Sequence, residues 1–374
     1  MKRKSTRRDF LKGRSAADAV SDAVHEAVDA AFPGDQAPPA AQRPPVAGGF
    51  LVHVSRRAMA CQFEVRVNAG QYPHDTESAL AALDLVDTLE EQMSIFRDTS
   101  QLCHINRTAS QGPVEVEARL FELLEMAMQL YAETDGAFDL TSAALWEVWG
   151  FARRAAAVPT EEQLAEALGR VGGHLVRLDA QRRTIQLDKP GVQLNLGSIG
   201  KGYALDRCAD LLLQAGIEDF LFHGGNSSVL ARGAQFMTKG CLPKDRSQGW
   251  IVGVRHPLRP DRRLAEIRLC DRALATSGSW AQSFVHRGRR YGHIIDPRTG
   301  HPAEGVLSAT AIAPTAALAD ALSTAFYVLG PDKTVEYCEK RPEIAALLAC
   351  PVRHSGGVEI RSVGFAEAEI KLLG

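Results

Sequence analysis

The segment Gln193-Leu-Asn-Leu-Gly-Ser-Ile-Gly-Lys-Gly-Tyr-Ala-Leu-Asp206 constrains this chain more than any other. Val192 to Leu196 alternates apolar and polar residues, the pattern of a short strand with one buried face. Three glycines then interleave with Ser198, Ile199 and Lys201, and from Tyr203 onward Ala204, Leu205, Cys208, Leu211 and Leu212 recur at helical spacing. A strand, a glycine-rich turn and a helix N-terminus in that order leave main-chain N–H groups unpaired and facing outward. With a lysine in the turn, the segment reads as an anion site, and phosphate is the anion it suits best. It is not a nucleoside-triphosphatase phosphate loop, because the spacing G-x-x-x-x-G-K-[ST] is absent. A tight strand-to-helix corner with a solvated lysine has the same residues, so the segment alone leaves both readings open.

Composition excludes several classes. The chain has 374 residues, 45% hydrophobic and 24% charged, which suits one large globular domain or two smaller ones. A formal net charge of -2 and scattered basic residues give no nucleic-acid footprint. No apolar run is long enough to span a membrane. The seven cysteines are odd in number and form no C-x-x-C pair, which argues against a zinc site or a disulfide framework.

Ser5-Thr-Arg-Arg-Asp-Phe-Leu-Lys12 resembles a twin-arginine export signal, but the apolar region that should follow is missing. Arg14, Asp18, Asp22, Glu26 and Asp29 interrupt it, and Val20, Val24 and Val28 make only a narrow stripe on a polar helix. The expected location is therefore the cytoplasm ahead of the periplasm. Residues 33–48, rich in Pro, Ala and Gly, read as a linker, dividing the chain into a tail at 1–48 and a domain at 49–374.

Within that domain, helices are expected over 76–96, 117–133, 160–170 (opened by a Thr160/Gln163 capping box) and 316–329, the last ended by Gly330. Strands are expected at 176–178, 184–187, 220–230 with a break at Gly224-Gly225, 250–254, 264–269, 291–296, 310–313, 344–349 and 357–363. Ala275 to Ser279 reads as a small-residue turn. Strands in runs with a few helices argue α+β or mixed α/β, with largely antiparallel sheets.

Asp320 and Thr324, four apart on a helix of small residues, share one face. A carboxylate beside a hydroxyl offers hard oxygen ligands suited to Mg²⁺, although such a pair also makes a local hydrogen bond. His293 could orient a substrate oxygen or act as a base, or be a satisfied structural histidine. Asp139 and Thr141 point the same way on extended chain, or close a turn before a helix. No Ser-His-Asp elbow, H-E-x-x-H or dinucleotide fingerprint is present. Anion-cradling turn, hard-metal ligands and no evident protein nucleophile together suit phosphate-ester or pyrophosphate chemistry.

Taken together, Met59-Ala-Cys-Gln-Phe63, Ser94 to Asn106, Gly136-Ala-Phe-Asp-Leu-Thr141, Leu194 to Asp206, His223-Gly-Gly-Asn226, Ala275-Thr-Ser-Gly278, His293-Ile-Ile-Asp-Pro-Arg-Thr-Gly300 and Ala319-Asp-Ala-Leu-Ser-Thr324 resemble the ApbE family of FAD:protein FMN transferases. The resemblance implies an α+β, T-fold-related, two-lobed domain with mostly antiparallel sheets and an FAD cleft between the lobes. It implies FAD contacts from Met59, Ser100, Gln101, Leu102, Asp139, Thr141, Lys201, Ser277 and His293. Mg²⁺ would be held by Asp320, Thr324 and the carbonyl of Ser198, with His293, Lys201 and Asp320 as the catalytic set. The implied reaction is Mg²⁺-dependent transfer of FMN from FAD to a Thr or Ser hydroxyl of an acceptor flavoprotein, with release of AMP. Hydrolysis of FAD to FMN and AMP, or FAD binding without turnover, are the alternatives. Departures from the family pattern are Ala60-Cys61 for Gly-Thr, Ser198 for a smaller or apolar residue, and Gly200 for Ala.

Overall fold

A computed structural model describes residues 50–152, 157–235, 249–278, 282–352 and 357–373. The tail at 1–48 with its twin-arginine-like motif, and Ser279, lie outside the described residues. The strands in chain order are β1 Leu51–Ala58, β2 Cys61–Asn68, β3 Val114–Glu115, β4 Val176–Asp179, β5 Thr184–Leu187, β6 Phe220–Gly224, β7 Ser228–Arg232 and β8 Trp250–Arg255. They continue as β9 Arg263–Leu269, β10 Ala273–Gly278, β11 Ser283–His286, β12 Arg289–Gly292, β13 Ser308–Ala313, β14 Ala345–Pro351, β15 Val358–Val363 and β16 Ile370–Leu372. The α-helices are α1 Asp75–Met93, α2 Gln101–Thr108, α3 Ala118–Glu133, α4 Ala143–Val148, α5 Glu161–Leu168, α6 Gly200–Gln214 and α7 Ala316–Glu339.

The frame is an eight-stranded sheet in the order β1-β2-β6-β7-β10-β13-β14-β15, with antiparallel pairing throughout. Strands β6, β7, β13 and β14 are buried along nearly their whole length, so both of their faces meet other parts of the protein. In β6, Phe220 and Phe222 join the core beneath α1, α6 and α7, while Leu221 joins Trp250, Val252 and Ile267 of the smaller sheet β16-β9-β8. A third cluster sets Leu145 and Trp149 of the α4 region against Leu164 of α5 and Ile295. The architecture is α+β.

Three expected elements differ. Residues 192–196 are extended but join no sheet: Leu194 exchanges both main-chain bonds with the Asn106 amide (2.8 and 3.0 Å), and Asn195 N–H donates to Leu140 O (2.8 Å). A side chain and a loop carbonyl thus take the place of a neighbouring strand. Residues 273–278 form central strand β10 rather than a turn, their small side chains suiting the face against which α7 packs. The strand expected over 291–296 ends at Gly292, so His293 stands just past it. Gly330 ends the first helical run of α7 as expected: its φ 77° and ψ 178° are non-helical, and Pro331 opens a second run that follows to Glu339.

Candidate active site

The site is built where the N-termini of α6 and α7 meet. A Cβ added at Gly202 would lie 2.0 Å from the Ala316 carbonyl oxygen and 2.6 Å from Ala317 N. Only glycine permits that approach, and it brings the Lys201 turn onto the Asp320 helix. Asp320 is 4% exposed. Its Oδ2 accepts the Gly202 N–H at 2.7 Å, its Oδ1 accepts the Ser228 hydroxyl at 2.5 Å, and Lys201 Nζ stands 3.9 Å from Oδ2. Gly202 N–H belongs to the first turn of α6, where no intrahelical acceptor exists, and Asp320 supplies one. Ser198 is half-buried in the turn just before that helix.

Thr324, one turn beyond Asp320, lies 3.1 Å from Ser277 Oγ on β10, and Ser277 is also 2.8 Å from Ser323 Oγ. Among the described residues no group of three His, Cys, Asp or Glu side chains gathers into a metal cage. A cation here would meet the Asp320 carboxylate and the Thr324 hydroxyl one turn away. Such sparse oxygen ligation fits Mg²⁺, which keeps waters and takes substrate phosphate oxygens as further ligands. The Asp320 oxygens have lone pairs beyond the two bonds they accept.

His293 reaches the same region from the end of β12. Its Nδ1 is 3.0 Å from Gln282 O, and a carbonyl only accepts, so Nδ1 carries the proton and Nε2 presents a lone pair. Its ring meets Trp146 nearly edge-on, with centroids 5.8 Å apart, and Phe151 at 6.4 Å. Burial, with a further contribution from the Lys201 charge, lowers its pKa despite the Gln282 bond. The imidazole is neutral at neutral pH. Asp296 instead forms a two-point ion pair with Arg298 (2.8 Å at each nitrogen) within its own turn.

Met59 and Ala60 form the β1–β2 turn, both at positive φ (47° and 59°), and Met59 N–H donates to Glu90 Oε2 at 2.9 Å. Beside them, burial pushes the Cys61 thiol pKa up, with Lys201 opposing and Asp320 adding to the rise, so Cys61 stands within the field of both. A protonated thiol there is no nucleophile.

The remaining expected residues are engaged locally. Asp139 Oδ1 accepts from Thr141 N and Oγ1 (2.7 and 2.6 Å), and Thr141 Oγ1 accepts from Gly172 N at 2.7 Å. Burial raises the Asp139 pKa against those bonds. The Leu140–Asn195 bond sets this turn beside the entry to the Lys201 loop. Ser100 caps α2 by accepting from Cys103 N (2.9 Å) and donates to Ser94 O (2.6 Å). Leu102 is a core residue, whereas Gln101 has a buried Nε2 with no protein partner among the described residues. Sequence reasoning missed Ser228 and Glu90. Only the position of Ser228, just after the Gly224-Gly225 break, hinted at a site.

Fold and site thus define a class: an α+β protein in which a lysine-bearing turn and a buried aspartate are brought together where two helices start. A family model described as the ApbE family matches residues 59–348. An FAD:protein FMN transferase of Treponema pallidum is 36% identical over 293 residues, covering 74% of this chain and 80% of that protein. One of Haemophilus influenzae is 31% identical over 300 residues, covering 78% and 84%. The crystal structure of an ApbE protein from Thermotoga maritima aligns with TM-score 0.72 and 32% identity over 83% of this chain and 96% of its own. The flavin transferase ApbE of Vibrio cholerae aligns with TM-score 0.71 and 27% identity over 84% and 97%. The chain belongs to the ApbE family.

Proposed function

We propose that this protein transfers FMN from FAD to a Thr or Ser hydroxyl of an acceptor flavoprotein, releasing AMP. The observation that carries the proposal is the convergence of Lys201 and Asp320, 3.9 Å apart, at two abutting helix N-termini. Family relatives bearing the name FAD:protein FMN transferase support the substrate.

In this reading the acceptor oxygen attacks the phosphorus on the riboflavin side of the diphosphate. A new P–O bond forms as the P–O bond to AMP breaks. His293 Nε2, held lone-pair outward by the Nδ1–Gln282 bond, takes the hydroxyl proton. Lys201 and the α6 N-terminus balance charge on the departing phosphate. Mg²⁺, held by Asp320, Thr324 and the Ser198 carbonyl, would supply further charge neutralisation. Met59, Gln101, Asp139, Thr141 and Ser277 would line the FAD cleft. The free Gln101 Nε2 supports its part in this, while Ser100 and Leu102 shape the loop from below.

The test is incubation with FAD, Mg²⁺ and a redox subunit carrying a Thr attachment site, read as in-gel flavin fluorescence. Labelled acceptor with AMP release is expected. Free FMN without label would instead identify a pyrophosphatase, and intact bound FAD a binding module. Fractionation of native cells decides the compartment, for which the interrupted apolar region after Arg7-Arg8 supports the cytoplasm.

A further inference from the structure

Asp206 lies one turn beyond Gly202 on α6, and neither of its oxygens is bonded within its own helix. Oδ1 accepts the Ala316 N–H at 2.7 Å and Oδ2 the Ala317 N–H at 2.8 Å. Both amides belong to the first turn of α7, whose own cap Thr315 takes only the Leu318 N–H, at 3.3 Å. In return, Asp320 of α7 accepts the Gly202 N–H of α6 at 2.7 Å. The two helices therefore exchange carboxylate-to-amide bonds in opposite directions across the contact of Gly202 with Ala316.

We propose that Asp206 is a positioning residue that fixes the register of α7 against the Lys201 turn, and thereby the separation of Lys201 and Asp320. This inference rests on the flavin-transfer reading of the site. Two observations carry it beyond ordinary helix capping. Each of the two α7 amides is bound by its own oxygen of one carboxylate on a different helix, a two-point grip that a single-oxygen Ser or Thr cap does not make. Asp206 is half-buried, so its carboxylate also gives up part of its hydration to make these bonds. Burial pushes the Asp206 carboxyl up to about 7 despite the two N–H donors, with Arg232 opposing the rise and Asp210 adding to it. Asp206 bonds to Ala316 and Ala317 rather than to Lys201 or Asp320, so its effect on chemistry would pass through the helix it holds.

The experiment compares wild type with Asp206→Asn and Asp206→Ser in the FAD, Mg²⁺ and Thr-bearing redox-subunit assay. Asn places an N–H₂ donor against one of the two amides, and Ser removes one acceptor. Misplacement of a reacting group by about 1 Å costs on the order of 100-fold in rate, so kcat should fall roughly 10- to 100-fold while KM for FAD moves less than about threefold. Hydrogen exchange of the amides at 316–318 should quicken in both variants, without FAD or metal present. Tyr337→Phe, which loses a 2.9 Å bond to Glu133 in the part of α7 beyond Gly330, should lower stability and leave kcat unchanged. If Asp206→Asn fails to fold, Asp206→Ser carries the comparison. Wild-type kcat in a folded variant would overturn the assignment while leaving flavin transfer intact. No transfer by wild type would overturn the functional reading itself.

Discussion

Replacing Gly202 with alanine pits two effects of opposite sign against each other. In an isolated helix the change is favourable by about 1 kcal/mol, because alanine loses less backbone entropy. Here the new Cβ would meet the Ala316 carbonyl oxygen at 2.0 Å and its carbon at 2.3 Å, where ordinary contact begins at 3.4 Å. The obstacle is main chain, so no side-chain rotation relieves it and α6 must move away from α7. Overpacking of this kind costs about 1–3 kcal/mol. The same movement stretches the bond from Gly202 N to Asp320 Oδ2, a charge-assisted bond contributing about 1.5–3 kcal/mol. The net expectation is a loss of about 2–5 kcal/mol, lowering Tm by roughly 5–10 °C, with FMN transfer lost at temperatures where the variant remains folded. Gly200→Ala is the matched control. Its Cβ would meet nothing closer than 3.7 Å, so it should be neutral or stabilise by up to about 1 kcal/mol. Thermal unfolding of both variants beside the transfer assay decides the matter. If Gly202→Ala proved as stable and active as wild type, or Gly200→Ala equally damaging, the close helix contact would not be what builds the site.

Asp320→Asn should reduce FMN transfer by at least about 100-fold while FAD quenching titrations still detect binding, since it removes the carboxylate charge from the cation locus. Chelation with EDTA should likewise abolish transfer, and added Mg²⁺ should restore it; activity undiminished by exhaustive chelation would refute the cation assignment. The lowered His293 pKa predicts transfer that rises with pH through that value and is already level near neutrality. The same shift stabilises the fold fully above about pH 6.5, and that stability is lost as pH falls toward the folded-state pKa. His293→Gln should flatten both dependences, measured as kcat and as urea midpoint across pH. Ala60→Gly should stabilise by about 0.5–1 kcal/mol, because Ala60 sits at φ 59°, where a Cβ is strained and glycine is not. A lower urea midpoint in that variant would show that the turn tolerates its Cβ.

Much of the site was legible along the chain because its chemistry is local. Glycines at 197, 200 and 202 around Lys201 announce a helix start open to an anion, and Asp320 with Thr324 share a helical face by period alone. Capping signals were equally direct: Thr160 and Gln163 form the expected reciprocal box. Where reading failed, the missing information was the neighbour. Residues 192–196 alternate like a strand, yet an Asn106 amide occupies the position a strand would take. Residues 275–279 read as a turn in isolation, and only the place of 273–278 between β7 and β13 makes that stretch a strand.

The sequence by itself determined the α+β class, the family and the separate halves of the site, since periodicity, caps and short motifs depend on residues a few positions apart. Only the tertiary structure decided that those halves meet. Gly202 and Ala316 are distant in sequence, and it is the absence of a Cβ at one that admits the main chain of the other. Ser228 and Asp206 acquire their partners in the same way, through contacts made when α6, α7 and β7 pack together. Local pattern can specify which groups are available; long-range packing sets the distances between them, and the proposed chemistry depends on those distances.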